Sequence, residues 1–203
     1  MVYFHSRKED VYKFLIEISK DLSKAKLGAL FVIAKGKKFK NIYESLYPQV
    51  LSDHKIFEKG AKQLILKLAE LDGAFLIDEN GKIIAFGARI LKSRALPGYG
   101  TKHAAATGIT SHIKNSTAIL VSEESHWIKI FKDGKIVLEM DSAKNPPSVT
   151  NKVVTFLSDN DTALLATAGA SAAVMGVIPV VIISGTYLAF KTASGIIKKS
   201  LRD

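Results

Sequence analysis

The sequence contains no cysteine. That absence excludes disulfide frameworks, thiolate nucleophiles and zinc–cysteine sites together, and it fits a reducing cytosol. Metal chemistry is left to carboxylates and five histidines, and oxygen-rich donor sets favour hard ions such as Mn2+ or Mg2+. Proline is scarce, five in 203 residues, and no low-complexity tract occurs, which argues against a largely disordered chain. The first 21 residues carry charges throughout and lack a continuous apolar core, so no secretory signal is expected there. The Walker spacing of a P-loop is missing as well. The net charge of +10 attracts polyanions in general. Without an RNP-like run or zinc-finger spacing, however, nucleic acid is not an expected partner.

What is present reads as an α/β protein. Val11, Phe14, Leu15, Ile18 and Leu22 recur by threes and fours and predict an amphipathic helix over 10–22. The apolar run 27–34 predicts a buried strand, and Ala61, Leu64, Ile65 and Leu68 mark a helical stripe within 56–71. Residues 74–78 and 83–87 form a predicted hairpin around Asn80-Gly81, a pair that tolerates positive φ. A small-residue helix is expected over 104–112, a buried strand over 117–122, and a second hairpin over 127–140. Strands and helices intermix, which predicts a mixed β-sheet flanked by helices. Pro146-Pro147 breaks the pattern, and a short helix over 150–157 follows.

The C-terminal part is different in kind. Residues 162–190 carry 29 positions without a charge, beyond the roughly 20 that cross a hydrocarbon core. Gly169, Gly176, Pro179 and Gly185 lie among Ala, Val and Ile, as is common in membrane helices. An apolar helical membrane segment is expected, with membrane lipid as a partner. Lys191, Lys198, Lys199 and Arg202 follow it. A single span and a shallow re-entrant hairpin turning near residues 176–179 both stay open. The expected organisation is an N-terminal helix packing on the core (1–25), an α/β domain (26–141), a linker with a short helix (142–160), and a membrane-associated segment with a basic tail (161–203).

Three polar clusters sit at the ends of these elements, where α/β folds place ligand sites. The first is Asp72-Gly73-Ala74, an acid beside a glycine that permits close approach of a ligand. The second is GYGTKHAAA (98–106), in which Gly100, Thr101, Lys102 and His103 precede or open a helix and suit a phosphate. The third is Ser122-Glu123-Glu124, whose paired carboxylates suit a divalent metal. Singly, each also reads as an ordinary turn: a helix-ending loop, a Gly-rich turn capped by Thr101, a solvated acidic bend.

In this order, and with these hairpins between them, the clusters resemble the diadenylate cyclase (DAC) domain family. Its signatures are DGA, GTRHR followed by alanines, and a strand ending in VSE. They stand here as LDGA (71–74), GTKHAAA (100–106) and VSEE (121–124), with similar text at 28–33, 77–87 and 131–134. The resemblance spans about residues 26–140. Two positions depart from it: Lys102 replaces the first motif arginine, keeping charge while losing its planar fork, and Ala104 replaces the second. The archaeal-type variant of the motif is similarly relaxed at the second position.

The resemblance implies an enzyme, a nucleotidyltransferase that condenses two ATP into cyclic di-AMP with release of pyrophosphate. Two domains meet face to face as a homodimer, each holding one ATP. It assigns catalysis to Asp72, Lys102 and His103, and nucleotide binding to Gly73, Ala74, Gly100, Thr101 and Ser122. Metal binding falls to Glu123 or Glu124, with Mn2+ or Mg2+ as the ion. The catalytic domain is expected to face the cytoplasm from the cell membrane. The alternative is a degenerate, membrane-tethered sensor of ATP or cyclic di-AMP.

Overall fold

The computed structural model describes residues 7–95, 98–124, 127–142, 147–159, 177–179, 181–183 and 186–188. Helix α1 (Arg7–Lys24) buries Val11, Leu15, Ile18 and Leu22, as their spacing predicts, together with Tyr12 and Ile16, while Phe14 is only half-buried. It begins three residues earlier than that stripe suggests, with Glu9 and Asp10 favourably placed in its first turn and Lys24 in its last. Strand β1 (Ala29–Ala34) is buried at all six positions, which explains an apolar run without alternation.

After a 3-10 turn over Gly36–Phe39 come the edge strand β2 (Tyr43–Ser45) and helix α2 (Ala61–Leu68). Neither the turn nor β2 has a periodic signature, since three or four residues are too few to show one. Leu64, expected on the buried stripe of α2, is 50% exposed, while Ala61 and Ile65 face the core. Strands β3 (Ala74–Asp78) and β4 (Ile83–Ile90) form the first hairpin, with Gly81 at φ +82° in its turn. Helix α3 (Thr101–His112) is followed by β5 (Thr117–Val121) and by the second hairpin, β6 (Trp127–Lys132) and β7 (Lys135–Asp141). Helix α4 (Pro147–Asp159) starts within the stretch expected to be linker, because proline is tolerated in a first turn.

The strands form one mixed sheet in the order β2-β4-β3-β1-β5-β6-β7-β8, where β8 is the three-residue strand Val177–Pro179. Among the described residues only β1 and β3 pair in parallel; the neighbours on either side are antiparallel. One face of the sheet packs against α1 and α4, with Ile65 and Ala69 from and beside α2 in the same apolar layer. The other face carries α3, through Ala106, Ile109 and Ile113, with Phe39 of the 3-10 turn and Ile42 in the same layer. Alanines at 74, 85, 88 and 118 keep that second layer shallow. Polar ties fasten the first layer: the Tyr12 and Thr117 hydroxyls lie 2.9 Å apart, and the Ser23 and Ser142 hydroxyls 2.7 Å. Lys132 donates to the Leu157 carbonyl at 3.3 Å, satisfying an open acceptor at the end of α4.

The expected membrane helix falls mostly on residues outside those described. Within that stretch the described residues are extended: β8, then the hairpin β9 (Val181–Ile183) and β10 (Thr186–Leu188). Among the described residues no helix is long and apolar enough to cross a membrane.

Candidate functional site

The three polar clusters meet along one edge of the sheet. β1 and β3 are parallel and β5 runs against them, so two strand starts and one strand end share that edge. Ala29 pairs with Val121, and Phe31 with both Ile119 and Phe75. Continued outward, the register sets Asp72, Gly28 and Ser122 in one row. Asp72 and Ser122 are then two strand spacings apart, roughly 10 Å, a span that a ligand fills and a direct contact does not.

Asp72 is exposed, in the turn between α2 and β3. The next residue, Gly73, has φ +103°, and a Cβ there would stand 2.5 Å from the Gly87 carbonyl carbon and 2.7 Å from the Ala88 nitrogen. The β4 backbone crosses directly against it, which only glycine allows. Ala74 is buried and pairs with Ala88, and the register shifts between Ala74 and Leu76, a bulge beside the site.

Helix α3 begins inside the second cluster, at Thr101, three residues before the small-residue run. Gly100 occupies the N-cap position with extended backbone and supplies no side-chain capping bond; Thr101 is therefore the first helical residue and not the cap. The opening N–H groups of a helix have no intrahelical acceptor, and a glycine cap offers them none from its side chain. Such an end favours an anion. Gly108 seats this helix: a Cβ would lie 1.9 Å from the Lys92 carbonyl oxygen.

Lys102 forms an ion pair with Glu123 across the edge, joining the second and third clusters. Glu123 lies over Gly28, where a Cβ would approach its Cγ to 2.3 Å. Ser122 still pairs with the next strand, its N–H donating to the Trp127 carbonyl at 3.2 Å. Glu124 is exposed. Among the described residues no three His, Asp or Glu converge as metal ligands. Glu123 and Glu124 supply carboxylates of the donor type a hard ion takes, and the Glu123 carboxylate is paired with Lys102.

His103 differs from the cationic group its motif suggests. Its Nε2 is buried without a hydrogen-bond partner among the described residues. Its ring packs against Tyr99 with centroids 4.5 Å apart and planes tilted by 37°, and meets Phe131 edge-on at 6.1 Å. Burial, aided by the positive charge of Lys129, lowers its pKa from 6.5 to about 4. At neutral pH the ligand-free imidazole is uncharged.

Three residues of this region lie outside the motif assignments: Gly28, Tyr99 and Lys129. Gly28 and Tyr99 stand inside or beside recognisable motif text, but their contacts depend on strand pairing. Lys129 is an ordinary polar position of an alternating strand, and nothing in its local sequence marks it. A groove of about 300 Å³ lined by Asp10, Lys13, Phe14, Glu17 and Phe57 shares none of the site residues.

The family model of the DAC domain, described as DisA bacterial checkpoint controller nucleotide-binding, matches residues 17–136, which include every candidate residue. A diadenylate cyclase of Methanocaldococcus jannaschii is 31% identical over 144 residues, covering 68% of this chain and 46% of that protein. One of Haloferax volcanii is 35% identical over 140 residues, covering 65% and 51%. The chain thus spans about half the length of the curated relatives it matches. Among solved structures, a hypothetical membrane spanning protein from Bacillus cereus aligns with TM-score 0.49 and 21% identity, covering 61% of this chain and 60% of that one. DacA from Staphylococcus aureus aligns with TM-score 0.47 and 24% identity, covering 63% and 85%.

Proposed function

This chain belongs to the DAC nucleotide-binding domain family, and from that premise we propose that it is a diadenylate cyclase, joining two ATP molecules into cyclic di-AMP. Each ATP 3′-oxygen attacks the α-phosphorus of the other ATP. Each new P–O bond replaces the bond to a leaving pyrophosphate, and each 3′-hydroxyl loses its proton. One domain holds one ATP, so closing the ring takes two chains face to face.

The observation that carries this reading is the Lys102–Glu123 pair at the uncapped start of α3, on the same sheet edge as Asp72. An anion at that helix end meets open N–H groups and an ammonium. Lys102 and the α3 N-terminus bind the phosphates and offset charge that develops as pyrophosphate departs. Gly73 keeps the backbone close at the nucleoside end, and Asp72 accepts the 3′-hydroxyl proton. Neutral His103 orients the phosphates through a ring nitrogen. A divalent ion held by Glu123 and Glu124 would neutralise phosphate charge. The 29 uncharged residues at 162–190 support attachment to the cell membrane with the domain facing the cytoplasm, which flotation of the full chain with liposomes tests.

The deciding assay incubates the full chain with ATP and Mn2+ or Mg2+ and measures cyclic di-AMP by mass spectrometry. Wild type is expected to form it. Asp72→Asn, an isosteric change at an exposed position, is expected to lose product while keeping ATP binding. Turnover retained in that variant removes Asp72 from the mechanism. The uncharged Ala104 favours a second reading, a sensor that binds nucleotide without converting it. ATP or cyclic di-AMP binding with no product under either metal selects that reading.

A further inference from the structure

We propose that Lys129 binds the polyphosphate of this site, as a second cation delivered to the first turn of α3 from the neighbouring strand β6. This rests on the reading of the site as one for a nucleoside triphosphate, and adds a residue to it that no motif contains.

Lys129 lies two residues from Phe131, whose side chain is buried in the layer beneath α3. Alternation along β6 therefore directs Lys129 to the same side. Its Nζ stands 4.4 Å from the centroid of the Tyr99 ring, and that ring is the one packed against His103. Tyr99 immediately precedes the cap residue Gly100 and is 43% exposed. The ammonium thus lies beneath an accessible aromatic ring at the mouth of the site.

Its partners leave capacity for a ligand. The Lys129 side chain is only 14% exposed, and the carboxylate paired with it, Glu139, is 3.5 Å away. Charge-assisted N–H···O bonds close to about 2.7–2.9 Å. An ammonium has three donors, and a long contact with one carboxylate and a ring face do not use them well. Phosphate oxygens would.

The surrounding charges make a second cation consistent with this chemistry. Lys102 already faces Glu123, His103 is neutral in the ligand-free site, and Ala104 contributes no charge where the family motif has its second arginine. Lys129 compensates for that arginine from a different element. The long, flexible stem of lysine suits this reach, although it binds as a point charge and not as a fork.

The test measures binding of α,β-methylene-ATP, which cannot release pyrophosphate, and of adenosine to the full chain with Mg2+ by calorimetry. Lys129→Met is expected to weaken the triphosphate analogue about tenfold or more, the scale of a lost hydrogen bond to a charged group, and to leave adenosine unchanged. Lys129→Arg is expected to retain affinity. The double variant Lys129→Met/Ala104→Arg is expected to recover much of the loss, which a packing role beneath Tyr99 does not predict. Lys129→Gln, similar in length and polar, gives the same reading should the methionine variant fold poorly. Equal weakening of both ligands, or full affinity in both uncharged variants, overturns the proposal while the triphosphate site stands. Failure of wild type to bind the analogue removes the site reading, and this inference with it.

Discussion

Gly28→Ala separates the chemistry of this site from its stability. Gly28 is buried at the start of β1, and its φ lies outside the left-handed region, so alanine introduces no backbone strain there. The new methyl would stand 2.3, 2.4 and 2.8 Å from Glu123 Cγ, Oε1 and Cδ. Carbon atoms in contact sit at about 3.5–4.0 Å, so the glutamate must retreat by roughly 1 Å. It can do so, because its side chain is 59% exposed. What the retreat disrupts is its alignment with Lys102. An exposed ion pair is worth about 0–1 kcal/mol, and Gly to Ala restricts the unfolded chain by about 0.4–1 kcal/mol in the opposite direction. Net stability should therefore change by less than about 1 kcal/mol, a Tm shift within roughly 2–4 °C. Misplacing a positioning group by 1 Å costs on the order of 100-fold in rate. Cyclic di-AMP formation should fall about 10- to 100-fold, with Tm nearly unchanged. The measurement pairs an initial-rate product assay at saturating ATP with thermal melts. Turnover within twofold of wild type would mean that the position of Glu123 does not matter to the reaction. A Tm loss beyond about 10 °C would refute the claim that only a mobile side chain is displaced.

Three further expectations use the same geometry. Gly73→Ala meets backbone instead of a side chain, at φ +103°; strain and overpacking together should cost roughly 2–4 kcal/mol, and Tm should drop by roughly 5–15 °C, whereas an unchanged melt would contradict the close crossing with β4. His103 should titrate near 4, not 6.5, in an NMR pH series on the ligand-free protein. The unfolded chain then binds the extra proton between those values, so His103 makes stability fall as pH drops from 6.5 towards 4, with no contribution above. Lys129→Met should raise the His103 value, because the Lys129 charge is one of the two causes of its depression. A His103 titration near 6.5 would show that its imidazole is not held uncharged by burial.

Much of the architecture was legible because it follows from local periodicity. The apolar stripe of α1, the continuous run of β1 and the two hairpins around Asn80-Gly81 and Asp133-Gly134 each announce themselves within a few residues. The 3-10 turn and β2 did not, being too short for a period and held by tertiary contacts. The small-residue run predicts a start for α3 three residues after the observed one, because glycine and threonine read as turn formers, whereas the helix opens on Thr101 beneath a glycine cap. The ordered clusters DGA, GTKH and SEE likewise point to the family by their sequence alone.

Which side chains act together was decided by the tertiary structure. Lys102 and Glu123 are 21 positions apart and become an ion pair only because α3 lies across the end of β5. Gly28 takes on meaning from the antiparallel register of β1 and β5, which brings Glu123 over it. His103, a potential cation by composition, is made neutral by burial against Tyr99 and Phe131 and by the charge of Lys129. Residue type sets what a group is able to do; solvent exposure and neighbouring charge, which depend on the packed chain, set the state in which it does it.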